Sequence, residues 1–127
     1  MAMSMLGRDL LQKMIVAKTD VAAYLSLRRA KGYMSVSESE RLRDSLFELC
    51  NVYRESAPRL KHELAADEMA ALGQANAALS AAAIALMTGR HDCPHYIAID
   101  ADKLESCHDR LASSLSALLS VELAVES

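Results

Sequence analysis

Between Asp67 and Met87 the chain is almost purely helix-forming, and Met69, Leu72, Asn76, Leu79, Ala83 and Leu86 recur at alternating steps of three and four. That spacing aligns all six on one seam of a helix, and the alanines around them allow a second helix to approach closely. Whatever this chain becomes, it must provide helical partners for that segment.

The rest of the composition agrees. Hydrophobic residues make up 52% of the 127 residues but aromatics only 4%, so a core must be built from Leu, Ala and Met. Unbranched side chains of this kind keep helix propensity high. With four glycines and two prolines, the turns of a sandwich or barrel are too few. The expected fold is all-α, a small antiparallel bundle of four to five helices forming one domain over residues 1–127.

Punctuation along the chain sets the boundaries. A first helix is predicted from near Ser4 to Lys31, ended by Gly32, with Arg28, Arg29 and Lys31 suiting the negative end of its dipole. Leu6, Leu10, Leu11, Met14, Ile15, Val21, Tyr24 and Leu25 spread over nearly half its circumference, more than one partner helix covers. Ser37 and Glu40 form an S-x-x-E capping box, which predicts the start of a second helix running to about Ser56. Pro58 then opens a third helix, either unbroken to Thr88 or interrupted at Asp67, with Gly73 as a soft point. Residues 90–99 read as a loop with neither helical period nor start signal, and a last helix begins at Asp100 or Asp102.

Charge and cysteine usage narrow the setting. A net charge of −3 gives no overall field to gather phosphates, so nucleic acid is not the expected partner. Cys50, Cys93 and Cys107 include no C-x-x-C pair, which fits a reducing cytoplasm. Arg8, Asp9 and Lys13 interrupt the apolar start of the chain before it reaches signal-peptide length, and no run is expected to span a bilayer.

The residues offer several candidate chemistries. Thiolate and imidazole side chains gather in His91, Cys93 and His95, with Asp92 beside them and Cys107 and His108 in the following helix, a donor mix that zinc selects. Their spacing matches no finger, and His108 falls within the apolar stripe of its helix. The expectation is therefore no metal and no cofactor, with these residues as the metal-binding alternative. A single E-x-x-H at Glu105 and His108 is half of what a di-iron bundle requires. Cys107 and His108 are adjacent and point about 100° apart on a helix, which is poor geometry for a nucleophile and its base. The Arg28–Lys31 turn and the helix after it loosely resemble the opening of a helix-turn-helix, but Glu38, Glu40, Asp44 and Glu48 would repel phosphates, which leaves a DNA-binding regulator as the second alternative. No P-loop, dinucleotide fingerprint, H-E-x-x-H or G-x-S-x-G element occurs, so no catalytic residue is assigned and the chain is not expected to be an enzyme.

What remains is a protein that works by contact. The expected function is a cytoplasmic regulator or adaptor, such as an anti-activator, inhibitor or chaperone, that binds another protein and forms a homodimer. Partner contacts are expected at Leu6, Leu10, Met14, Tyr24 and Leu25 and at His95, Tyr96 and Ile97. The Met69–Leu86 seam is expected to join copies, with Asn76 fixing register against its symmetry mate or bonding within one chain.

Overall fold

A computed structural model describes residues 5–87, 90–93 and 96–126, with side chains over 5–87 and 99–119. The chain forms four long helices, α1 (Met5–Lys31), α2 (Val36–Leu60), α3 (Ala66–Met87) and α4 (Ala101–Glu126), and three short strands, β1 (Met34–Ser35), β2 (Arg90–Cys93) and β3 (Tyr96–Ala98). The all-α bundle is therefore the architecture, with four helices. Each helix packs on its two neighbours around a ring, α1 on α2 and α4, and α3 on α2 and α4. The short connections after α1 and α2 require antiparallel neighbours.

Local chemistry explains most of the boundaries. Gly32 adopts φ +82, which only glycine takes cheaply, and its N–H donates to the Arg28 carbonyl at 2.7 Å. Asp100 caps α4, its Oδ1 accepting from the Lys103 N–H at 3.1 Å. At the start of α3 the Glu68 carboxylate reaches back to the Ala65 N–H at 3.0 Å, the returning half of a capping box, while Asp67 Oδ1 accepts from the Glu68 N–H.

Three expected boundaries differ. The cap of α2 is Ser35 rather than Ser37, with Ser35 Oγ accepting from the Glu38 N–H at 3.0 Å. The sequence holds two overlapping S-x-x-E motifs, and the first is the one used. Glu38 instead pairs with Lys31 at 3.0 Å, so the reciprocal bond of a capping box is not formed. Pro58 lies inside the last turn of α2, which continues to Leu60, and the break falls at residues 61–65. Proline removes a single ladder bond there, a small loss so close to a helix end.

The stretch expected as a loop is instead paired backbone. β3 pairs antiparallel with β1 through Met34↔Ile97 and Ser35↔Tyr96, and with β2 through Arg90↔Ala98, His91↔Ile97 and Cys93↔Tyr96, with an irregularity between His91 and Cys93. The sheet order is β1-β3-β2. This small sheet ties the α1–α2 turn to the α3–α4 connection, which is how a long connection in a bundle satisfies its own backbone groups.

One continuous core runs through the ring. Leu10, Met14 and Val21 of α1 meet Leu46 of α2, Leu72 and Leu79 of α3, and Leu104, Leu111 and Leu115 of α4, all almost fully enclosed. On α3 a run of small side chains, Ala75, Ala78, Ala82 and Ala85, is also buried, and the α3–α4 interface is the most extensive in the molecule. Small residues let these two backbones close together. From Met69 to Met87 the helix carries no charge, and by length and composition α3 is apolar enough to cross a bilayer, contrary to the expectation for the chain. Core helices pass the same test, and here Leu72, Leu79 and Leu86 are packed inside the bundle.

Candidate interaction face between α1 and α2

The expected contact residues of α1 turn inward. Leu10, Met14, Tyr24 and Leu25 are buried in the core, and Leu6 packs half-buried against it. They are corrected from contact residues to core residues: the wide apolar arc of α1 is spent on two neighbouring helices and on Met34 beneath the turn. Tyr96 and Ile97 are β3 residues whose side chains lie outside the described set, and His95 lies outside the described residues. The seam of α3 is likewise consumed within one chain, with Leu72, Leu79, Ala83 and Leu86 enclosed and Met69 half-buried on the core. A buried seam of this kind cannot join copies. Asn76 sits half-buried toward α2, its carbonyl 3.9 Å from Cys50 Sγ, and its buried side-chain oxygen has no partner among the described residues.

The open surface lies on the other side of α1. Between α1 and α2 runs a groove made of two adjoining concavities that share Asp20 and Ser45. The first, of about 290 Å³, is floored by Val16, Ala17, Leu49 and Val52 and edged by Lys13, Asp20 and Glu48. The second, of about 440 Å³, holds Ala23, Tyr24, Leu27, Met34 and Leu42, with Glu38 and Arg41 at its edge. Val16 and Leu27, at the rim of the groove, are 50% and 48% exposed, as are Ile84 and Met87 on α3 at 47% and 55%.

The groove follows from two stripes. Val16, Asp20, Ala23 and Leu27 on α1, and Arg41, Ser45, Glu48 and Val52 on α2, each repeat at steps of four, three and four, one helix face apiece. Ala23 and Ser45 are small and leave the hollow between them. These stripes were the legible signal for the site, offset from the stronger stripes that fill the core.

Its charges are unevenly spent. Lys13 pairs with Asp9 at 3.1 Å, and Glu38 pairs with Lys31, whose ammonium also lies 5.2 Å from the centre of the Tyr33 ring. Asp20, Arg41 and Glu48 have no ion-pair partner among the described residues. At the inner end of the groove the Tyr24 hydroxyl shares a 2.7 Å hydrogen bond with Ser39, which donates in turn to the Ser35 carbonyl at 3.0 Å, locking α1 to the first turn of α2. Burial raises the Tyr24 pKa, partly offset by the Ser39 bond and by Arg28.

Among the described residues the alternative chemistries find no assembled site. Among the described residues no three His, Cys, Asp or Glu side chains come together as a metal site. Cys107 is buried in the core near Arg110, whereas His108 bonds to Asp109 at 3.3 Å, so these neighbours face different surroundings. His91 and Cys93 are strand residues of undescribed side chains. Cys50 is buried, which raises its thiol pKa and works against nucleophilic use. In the basic turn, Lys31 is engaged by Glu38, and Arg29 bonds Glu105 of α4 at 3.1 Å, so two of its cations face carboxylates.

Comparison with known proteins places the chain. Residues 1–124 match the family described as "Biofilm formation protein (YliH/bssR)". The chain belongs to this family. Relatives in Escherichia coli strain K12, Escherichia coli O157:H7 and Shigella flexneri, each named "Biofilm regulator BssR", are 49% identical over 110 residues, covering 87% of this chain and 87% of each relative. No solved structure matches the chain. Membership in the YliH/bssR family supports a regulatory role.

Proposed function

We propose that this chain is a cytoplasmic regulator of biofilm formation that acts without catalysis, by protein–protein contact through the α1–α2 face. The observation that carries this reading is the groove itself. Val16 and Leu27 stand half-exposed beside Asp20, Arg41 and Glu48, which have no ion-pair partner among the described residues. A soluble monomer gains nothing from that combination, whereas an interface uses apolar centre and charged rim together. The names of the 49% identical relatives support the regulatory half of the proposal.

The test is complementation. In a strain lacking its own copy, wild type is expected to restore the normal amount of surface-attached biofilm, and the double variant Val16→Glu, Leu27→Glu is expected to fail. Circular dichroism and melting establish that the variant keeps its helices, since both residues lie outside the enclosed core. Full complementation by the folded double variant would refute regulation through this face.

A further inference from the structure

The two halves of the groove carry opposite charges that form no ion pair with each other among the described residues. The first concavity presents two carboxylates, Asp20 from α1 and Glu48 from α2, above the apolar floor of Val16, Leu49 and Val52. The second, which Asp20 also lines, presents the Arg41 guanidinium at its edge. Arg41 and Glu48 are on the same face of α2 but seven residues apart, about 10 Å along the axis, beyond ion-pair reach. All three charges lack an ion-pair partner among the described residues, whereas Lys13 and Glu38 in the same groove are paired locally.

We infer that the occupant of this face is a second copy of the chain, related by a twofold axis beside Ser45, with Arg41 of each copy seated between Asp20 and Glu48 of the other. An antiparallel α2–α2 contact carries position 41 onto position 48 of the mate, and the symmetry repeats the contact at the other end. The three methylenes of the arginine stem lie over the apolar floor while the guanidinium meets two carboxylates, the arrangement for which arginine is best suited. Ser45, small and exposed, allows the two α2 helices to approach at the axis. Leu27 shares the second concavity with Arg41 and is carried toward Val16 and Val52 of the mate.

The face runs from Gln12 to Leu27 on α1, roughly 22 Å, and is two helices wide, a footprint of roughly 450 Å² per copy. Doubled, this is about 900 Å², below the roughly 1,200 Å² of stable specific interfaces, which places the contact among weak, transient dimers. The inference rests on the α1–α2 face being the contact surface of the proposed function and names what contacts it.

The experiment is a charge exchange read by sedimentation velocity over a micromolar concentration series. Wild type is expected to move from 13.8 kDa toward twice that mass. Arg41→Glu alone, and the pair Asp20→Lys with Glu48→Arg alone, are each expected to stay monomeric, because each places like charges across the axis. Mixed in equal amounts, the two are expected to recover the doubled mass, since the acid introduced at position 41 then meets the introduced cations and the native Arg41 meets native carboxylates. Circular dichroism of both confirms folding, and Ser45→Cys in a Cys93→Ser background supplies a second measurement, a disulfide-linked dimer under oxidation.

A monomeric wild type, or variants that fail to recover the doubled mass on mixing, overturns the inference. The proposed function fails differently. If wild type is monomeric yet Val16→Glu, Leu27→Glu abolishes biofilm regulation, the face is used by another protein and only the dimer is lost. If the charge exchange succeeds but both that variant and monomeric Arg41→Glu still regulate, the dimer stands and regulation through this face is refuted.

Discussion

Gly73 lies well inside α3, and replacing it with alanine is expected to stabilise the protein. A glycine in a helix interior costs about 0.5–1 kcal/mol relative to alanine, because the unfolded chain has more freedom to lose. Whether that gain is realised depends on the space a methyl group would enter. A Cβ at position 73 would meet Tyr53 Oη of α2 at 3.5 Å, an ordinary van der Waals separation, with no nearer neighbour. Tyr53 is half-buried, so its hydroxyl keeps access to water. No steric term offsets the entropy term, and Gly73→Ala should raise stability by about 0.5–1 kcal/mol, or the melting temperature by roughly 2–5 °C for a domain of this size. Gly32→Ala supplies the opposite sign from the same reasoning. Nothing lies within 4 Å of a Cβ there, yet φ is +82, so the left-handed backbone costs about 1–2 kcal/mol despite the empty space. Urea unfolding of both variants beside wild type reads the two values. Destabilisation by Gly73→Ala would show that α2 and α3 approach more closely than described, and the argument from available space would be refuted.

Two further outcomes follow from the hydrogen bonds at the α1–α2 end. Ser35→Ala is expected to cost about 1 kcal/mol in urea unfolding, whereas Ser37→Ala should change stability by less than about 0.5 kcal/mol, because only Ser35 accepts from the backbone of the first turn. The Tyr24 hydroxyl holds its proton above the ordinary value of about 10 because it is desolvated, so its contribution is complete below pH 10 and is lost as the pH rises through the folded value. Cys50 acts in the same direction from about 9. Tyr24→Phe should therefore lower stability by about 1 kcal/mol at neutral pH, through loss of the Ser39 bond, and make the alkaline decline shallower, measured as urea midpoints from pH 8 to 11.

Much of the fold was legible because it is local. Gly32, Asp100 and the alanine-rich α3 announce themselves through backbone angle, side-chain capping and periodicity, none of which needs distant residues. What was misplaced depends on long-range pairing. Ser35 and Ser37 are equally good caps in sequence, and the choice between them accompanies the pairing of Met34 and Ser35 with Ile97 and Tyr96 and the bond from Tyr24 to Ser39. The same pairing turns residues 90–93 and 96–98 from apparent loop into sheet, although Tyr96 and Ile97 are good strand formers. For the interaction face, the strongest apolar residues of α1 pointed to the core and drew attention from Val16 and Leu27, whose stripe is weaker and interleaved with Asp20 and Ala23. Hydrophobic strength marks burial, and a weaker stripe beside it is easily overlooked.

The uncharged length of α3 also governs how the chain comes into being. Its alanine side is covered by α4, so the bundle cannot close until α4 has been made. A chain that stops after Met87 would therefore keep α2 against α3 but leave the alanine side of α3 open to water, an invitation to stick to other chains.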